Sequence, residues 1–198
     1  MIKKITILLA ALIFSFLGGQ AQDVKPNKEE TISFIRTHFE NKRFGGECRS
    51  WAKGIASIEQ YYTDFHVSFN GSIMTVTWQY QFKSYLNGIK DSSRHSSKAV
   101  IDLSKIELID VYSDLISGDC FDEKEKRINA RDTWALAYFK PVSGYKIEYK
   151  GQDDLENGNA AIPVGNAICR DCKFNDLKII KAFNHLRKLC GAPEPIKF

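Results

Sequence analysis

The chain has 198 residues, 43% of them hydrophobic and 26% charged, and its 28 basic and 24 acidic side chains leave a formal net charge of +4. So near-neutral a balance argues against nucleic acid or an anionic membrane as the main partner, since both are recognised through strongly basic patches. The length suits one domain with a real core, and no internal repeat or low-complexity tract divides it.

Lys3 and Lys4 precede an apolar run over residues 5–17, followed by Gly18, Gly19, Gln20 and Ala21. This order of charged, apolar and small residues is that of a secretory signal peptide, residues 1–21, with a mature protein starting at Gln22. The run is short of the roughly 20 residues that a membrane-crossing helix needs, and no later stretch is longer, so no integral membrane span is expected. No Cys stands at the cleavage point to carry a lipid. Residues 22–198 are then expected as a single domain in the periplasm or the medium, both oxidising spaces.

Asn27 followed three residues later by Glu30 resembles a capping box, and Ile32, Ile35 and Phe39 share a helical face. The spacing predicts a helix over residues 28–42 ended by Gly45-Gly46. Residues 44–60, with Cys48 and Trp51, lack a sustained period and read as a loop with a short helical turn around residues 51–58. Residues 61–82 form a β-hairpin in which Asn70-Gly71 supplies a type I′ loop and Phe69 pairs with Ser72. Counting back then sets Val67 opposite Met74, Phe65 opposite Val76, Thr63 opposite Trp78 and Tyr61 opposite Tyr80. The opposite face, Ser68/Ile73, His66/Thr75, Asp64/Thr77 and Tyr62/Gln79, is mostly polar, so pattern and turn agree on one register.

Residues 83–98 are polar, with Asn87-Gly88 and the cluster from Ser92 to Ser97, and read as an exposed, mobile turn. Residues 99–103 and 106–112 are two strands split by Ser104-Lys105, and residues 113–131, with Cys120, are a loop. Residues 133–140 are apolar on both faces and so predict a central strand, stopped by Pro141. Residues 145–150 send Tyr145, Ile147 and Tyr149 inward, residues 153–159 turn, and residues 160–164 are a short strand that Pro163 places at an edge. In the last helix Asn175 is the cap, and Ile179, Ala182, Phe183, Leu186 and Cys190 line the buried side. Lys178, Lys181, Asn184, His185, Arg187 and Lys188 take the polar side, Gly191 closes the helix and Pro193 prevents its continuation.

The expected fold is therefore mainly β with α, an antiparallel seven-stranded bent barrel or sandwich capped by a carboxy-terminal helix, with an added amino-terminal helix. Seven strands followed by one amphipathic helix, over residues 61–191, resembles the pleckstrin-homology-like superfold. The strands within residues 99–112 and the ending at 179–191 also resemble small secreted bacterial proteins of unassigned function. In lipid-binding members of that superfold the resemblance implies that basic residues in the first hairpin loop hold inositol phosphates. Asn70-Gly71 carries no Lys or Arg, so no phosphoinositide headgroup site is expected, and the fold alone licenses no other activity.

Cys169-Arg170-Asp171-Cys172 is the one motif with chemical content. A thioredoxin-like dithiol places its first Cys at a helix amino terminus, whereas here the helix is expected to start after both thiols, which favours structural cysteines. Zinc lacks a second ligand pair. The five cysteines (Cys48, Cys120, Cys169, Cys172, Cys190) allow fifteen ways of forming two bridges with one thiol left over. Cys172 and Cys190, near opposite ends of one helix, stand roughly 25 Å apart, which removes three arrangements and leaves twelve. The acidic stretch from Asp153 to Gly158 fails as a calcium loop, because Leu155 and Val164 fall where oxygen ligands belong. Asn70-Gly71-Ser72 fits a glycosylation sequon that its turn role already explains. His38, His66, His95 and His185 are scattered, with no Ser or Cys at a triad spacing.

No catalytic, cofactor-binding or metal-binding residue is assigned, and no cofactor is expected. The reading favoured is a non-catalytic secreted module that binds a protein, peptide or small apolar ligand. The alternatives are a thiol-disulfide oxidoreductase or redox sensor using Cys169 and Cys172, with Cys48, Cys120 and Cys190 as further redox or disulfide candidates, and a structural cell-envelope component.

Overall fold

The first element of the computed structural model, which describes residues 25–50, 56–86, 89–114, 119–121, 127–128, 134–151, 159–165 and 178–195, is helix α1 (Lys28–Phe39). The expected signal segment, Asn87-Gly88, the acidic stretch from Asp153 to Gly158, Cys169, Cys172 and Asn175 lie outside the described residues. The capping box is present: the Asn27 side chain accepts from the Glu30 amide, and the Glu30 carboxylate accepts from the Asn27 amide, each at 2.9 Å. Ile35 and Phe39 are buried. The helix stops short of the expected residue 42 because Asn41 turns the chain through positive φ, 53°.

Gly45-Gly46 does not end the helix but lies within strand β1 (Phe44–Ser50), which pairs antiparallel with β2 (Ala56–Asn70) from Phe44 opposite Tyr62 to Ser50 opposite Ala56. The stretch read as a loop is thus largely strand. Gly45 has φ +119°, and a Cβ there would fall 1.9 Å from the Gln60 carbonyl oxygen, so glycine is what lets the two backbones meet.

The hairpin of β2 with β3 (Ile73–Leu86) keeps its expected buried face on β3 and on the loop side of β2, but not its register. Asn70 pairs with Ile73, so the loop is Gly71-Ser72, and only Gly71 has positive φ, 64°. That is the glycine-first pattern of a type II′ loop in place of type I′. Val67 consequently faces Val76 and Phe69 faces Met74. The displacement is two residues along β3, an even number, so each side chain keeps its face. Met74, Val76 and Trp78 are buried, Trp78 with only 3% exposure. The expected Phe65/Val76, Thr63/Trp78 and Tyr61/Tyr80 pairs are also replaced. A bulge between Thr63 and His66, with Asp64 at φ 55°, adds a residue to β2 and reverses its faces beyond that point. Tyr62 then faces Tyr80, Tyr61 faces Gln81, and Phe65 at the bulge stacks on Trp78 with centroids 6.5 Å apart.

Residues 83–86 and 89–98, expected as a turn, instead finish β3 and make most of β4 (Ile89–Asp102), paired from Leu86 opposite Ile89 to Ile73 opposite Asp102. Their polarity reflects exposed side chains on a paired backbone. A 3-10 turn (Leu103–Lys105) leads into β5 (Ile106–Asp114). Within the expected loop of residues 113–131 lie β6 (Asp119–Phe121) and β7 (Arg127–Ile128). β8 (Trp134–Pro141), β9 (Glu148–Lys150), β10 (Ala160–Gly165) and helix α2 (Lys178–Leu189) complete the order.

The strands form a seven-stranded antiparallel sheet, β7-β6-β1-β2-β3-β4-β9, and a three-stranded one, β10-β8-β5. β8 is central and β10 with Pro163 is an edge, as the pattern predicted. The fold is α+β, with a helix at each end of the described chain, but ten described strands replace the expected seven. Among the described residues no pairing joins the two sheets into a closed barrel.

Aromatic side chains tie these parts together. Phe39 of α1, Phe44 of β1 and Phe65 of β2 have centroids 5.2–6.2 Å apart, and Phe183 of α2 lies 6.3 Å from Phe39 and 5.3 Å from Phe139 of β8. α2 ends as expected, with Gly191 at φ 83°. The Gly191 amide donates to the Lys188 carbonyl and the Ala192 amide to that of Arg187, a Schellman closure.

Candidate functional site

Phe34 is 42% exposed although it is a large aromatic on a helix that packs into the core. It lies off the row of Thr31, Ile35 and Phe39 that α1 buries, and it borders a groove between α1 and α2. Pro26, Thr31, Phe34 and Ala182, together with the polar Glu30, Lys178, Lys181 and His185, line this groove around a volume of about 410 Å³. Each wall is locally fixed. Glu30 is held by the capping box, Thr31 Oγ1 donates to the Asn27 carbonyl at 2.7 Å, and His185 Nε2 donates to the Pro26 carbonyl at 2.6 Å. A carbonyl can only accept, so that ring nitrogen carries a proton.

α2 is fixed to the three-stranded sheet by two residues that amphipathic spacing assigned to the polar side. Asn184 brackets Ile109 on β5: its Nδ2 donates to the Ile109 carbonyl at 2.6 Å, and its Oδ1 accepts from the Ile109 amide at 3.3 Å. The amide side chain thus pairs an edge strand as another strand would. Arg187 is 1% exposed, a correction to its expected solvent-facing place. Its Nε donates to Asn184 Oδ1 at 3.1 Å, and its Nη1 to the carbonyls of Ile106 at 3.2 Å and Pro193 at 2.7 Å. Burial lowers the guanidinium pKa from its ordinary value, opposed by Glu194 and Glu107. No single-helix pattern could have shown this, because the accepting oxygens belong mostly to other parts of the chain.

The candidate cysteines separate into three groups. Cys48 on β1 and Cys120 on β6 are directly opposed in the antiparallel register. Cys190, at the end of α2, is a half-buried free thiol whose pKa is raised by burial, with Lys28 opposing. Cys169 and Cys172 lie outside the described residues.

The four histidines do not converge. His38 Nε2 donates to the Val164 carbonyl at 2.7 Å, and its ring lies 5.2 Å from that of Phe39 and 5.8 Å from that of Phe44. Burial lowers its pKa, partly offset by that carbonyl and reinforced by Lys42. His95 stacks on Tyr80, and His66 is exposed on the polar face of β2. Among the described residues no group of three or more His, Cys, Asp or Glu could hold a metal ion, and no helix is long and apolar enough to cross a membrane.

Comparison of the chain with protein-family models, with curated proteins and with solved structures finds no match.

Proposed function

We propose that this protein is an exported, non-catalytic binding module whose interhelical groove takes a small amphiphile with an apolar tail and an anionic head. The observation that carries this reading is the groove itself: Phe34, 42% exposed, beside a volume of about 410 Å³ that Lys178 also lines. That volume lies within the range of small-molecule sites, roughly 300 to 1,000 Å³. An apolar tail gains by covering Phe34 and Ala182, and the Lys178 ammonium at the groove favours an anionic head, since the Glu30 carboxylate is already engaged by the Asn27 amide. Export is supported by the charged, apolar and small-residue order of residues 1–21. Kinship with the pleckstrin-homology-like superfold belongs to the same proposal, and α2 packed against an antiparallel sheet supports it.

The test is calorimetric titration of the full chain with dodecanoate and with dodecyltrimethylammonium, which have equal tails and opposite heads, each kept below micelle formation. Dodecanoate should saturate a single site, the cation should bind at least tenfold more weakly, and Phe34→Asp should abolish dodecanoate binding while Lys178→Glu weakens it. Absence of saturable dodecanoate binding, or binding indifferent to Phe34→Asp, overturns the assignment.

A further inference from the structure

The edge of the large sheet places Cys48 and Cys120 opposite each other in an antiparallel register, flanked by Glu47 opposite Phe121 and Arg49 opposite Asp119. Directly opposed residues have Cα atoms about 4.5 or 5.5 Å apart, depending on whether the pair is hydrogen-bonded. Both values lie inside the disulfide range of about 4.4 to 6.8 Å. The usual Cβ separation of such pairs, about 4.5 to 5.5 Å, meets the upper end of the disulfide range near 4.5 Å, so closure asks for only a small approach. Opposed residues also project from the same face of the sheet.

A second consideration comes from the strands themselves. Among the described residues β6 meets the rest of the sheet through β1 and carries β7 on its other side. A tie at the β1–β6 step therefore holds both β6 and β7 to the sheet.

From these placements we infer that Cys48 and Cys120 form a disulfide that fastens the β6-β7 ribbon to the sheet. Formation needs a disulfide oxidant, such as glutathione disulfide. The thiolate of one cysteine attacks a sulfur of the donor, forming a mixed disulfide and releasing one donor thiolate. The second cysteine, as thiolate, then displaces the other donor thiolate. Two electrons pass to the donor, which leaves as two thiols carrying the two protons lost by the protein. With this bridge in place, Cys169 has only Cys172 or Cys190 as a partner from the arrangements that helix geometry permits, and Cys190 is a free thiol. The bridge does not depend on the groove, and either assignment can fail without the other.

Peptide mapping of the full chain tests it. Protein equilibrated with glutathione disulfide is trapped with an alkylating agent at mildly acidic pH, to prevent exchange, and digested with trypsin without reduction. The expected product is the peptide of residues 44–49 linked to that of residues 106–124, at near-full occupancy and lost on reduction. In Cys48→Ser, Cys120 should become open to alkylation in unreduced protein. Recovery of both peptides in alkylated form from the oxidised wild-type chain, or of Cys48 joined to any other cysteine, overturns the inference. Because the wild-type map decides the matter, a variant that fails to fold does not obscure it.

Discussion

Asn184→Ala probes the clip that holds α2 on the sheet. The substitution deletes the 2.6 Å bond to the Ile109 carbonyl, the longer 3.3 Å bond from the Ile109 amide, and the 3.1 Å bond from Arg187 Nε. A buried polar group left without its partner costs about 1 to 3 kcal/mol, and more where the donor is charged. Asn184 is only half-buried, so water can reach part of the vacated space and the sum is reduced. The expected loss is about 2 to 4 kcal/mol, read as a lower urea midpoint at unchanged slope. Lys188→Ala is the control, since its 2.9 Å ion pair with Glu194 is exposed and such pairs contribute at most about 1 kcal/mol. Equal losses for the two variants would refute the view that Asn184 serves as a strand partner.

Trp78→Ala should cost about 3 to 5 kcal/mol, and Thr75→Ala, on the opposite face of β3, at most about 0.5 kcal/mol; comparable losses in urea melts would show that the face is assigned wrongly. Gly45→Ala should cost on the order of 3 kcal/mol or more, because positive φ and backbone overlap with Gln60 act together; a folded variant of near wild-type stability would contradict that approach. Unfolded His38 takes up a proton near the ordinary value of about 6.5 and folded His38 only at lower pH, so its contribution is full above that value and is lost as pH falls from 6.5 toward the folded pKa. His38→Gln should therefore flatten the fall in stability between about pH 7 and pH 5.5, and an unchanged slope would count against a buried neutral imidazole.

What the sequence disclosed was local or strictly periodic. The capping box of α1 lies within four residues, the Schellman closure at Gly191 within six, and the alternation of Met74, Val76 and Trp78 needs no knowledge of what covers it. β1 was hidden because Gly45 and Gly46 have no side chains to show a period, and the reason Gly45 is glycine is the Gln60 backbone beside it. β4 was hidden for the contrary reason: its polar side chains face water while its backbone pairs fully with β3. In both cases a partner strand, not the segment's own composition, makes the strand.

The bulge at Asp64 shows how one residue redirects the reading of a whole strand. On the loop side of it β2 sends odd-numbered residues such as Val67 to the core, and on the other side even-numbered ones such as Tyr62 and Gln60 share the face of Tyr80 and Phe82. Counting from the loop cannot detect this, since the only local trace is an aspartate that tolerates positive φ. The consequence reaches β1: with Tyr62 on the core face, Phe44 opposite it shares that face. β1 in turn sets Cys48 opposite Cys120 on β6, so the register from which a bridge is inferred, among the twelve arrangements the sequence left, is a property of three segments that are far apart in the chain.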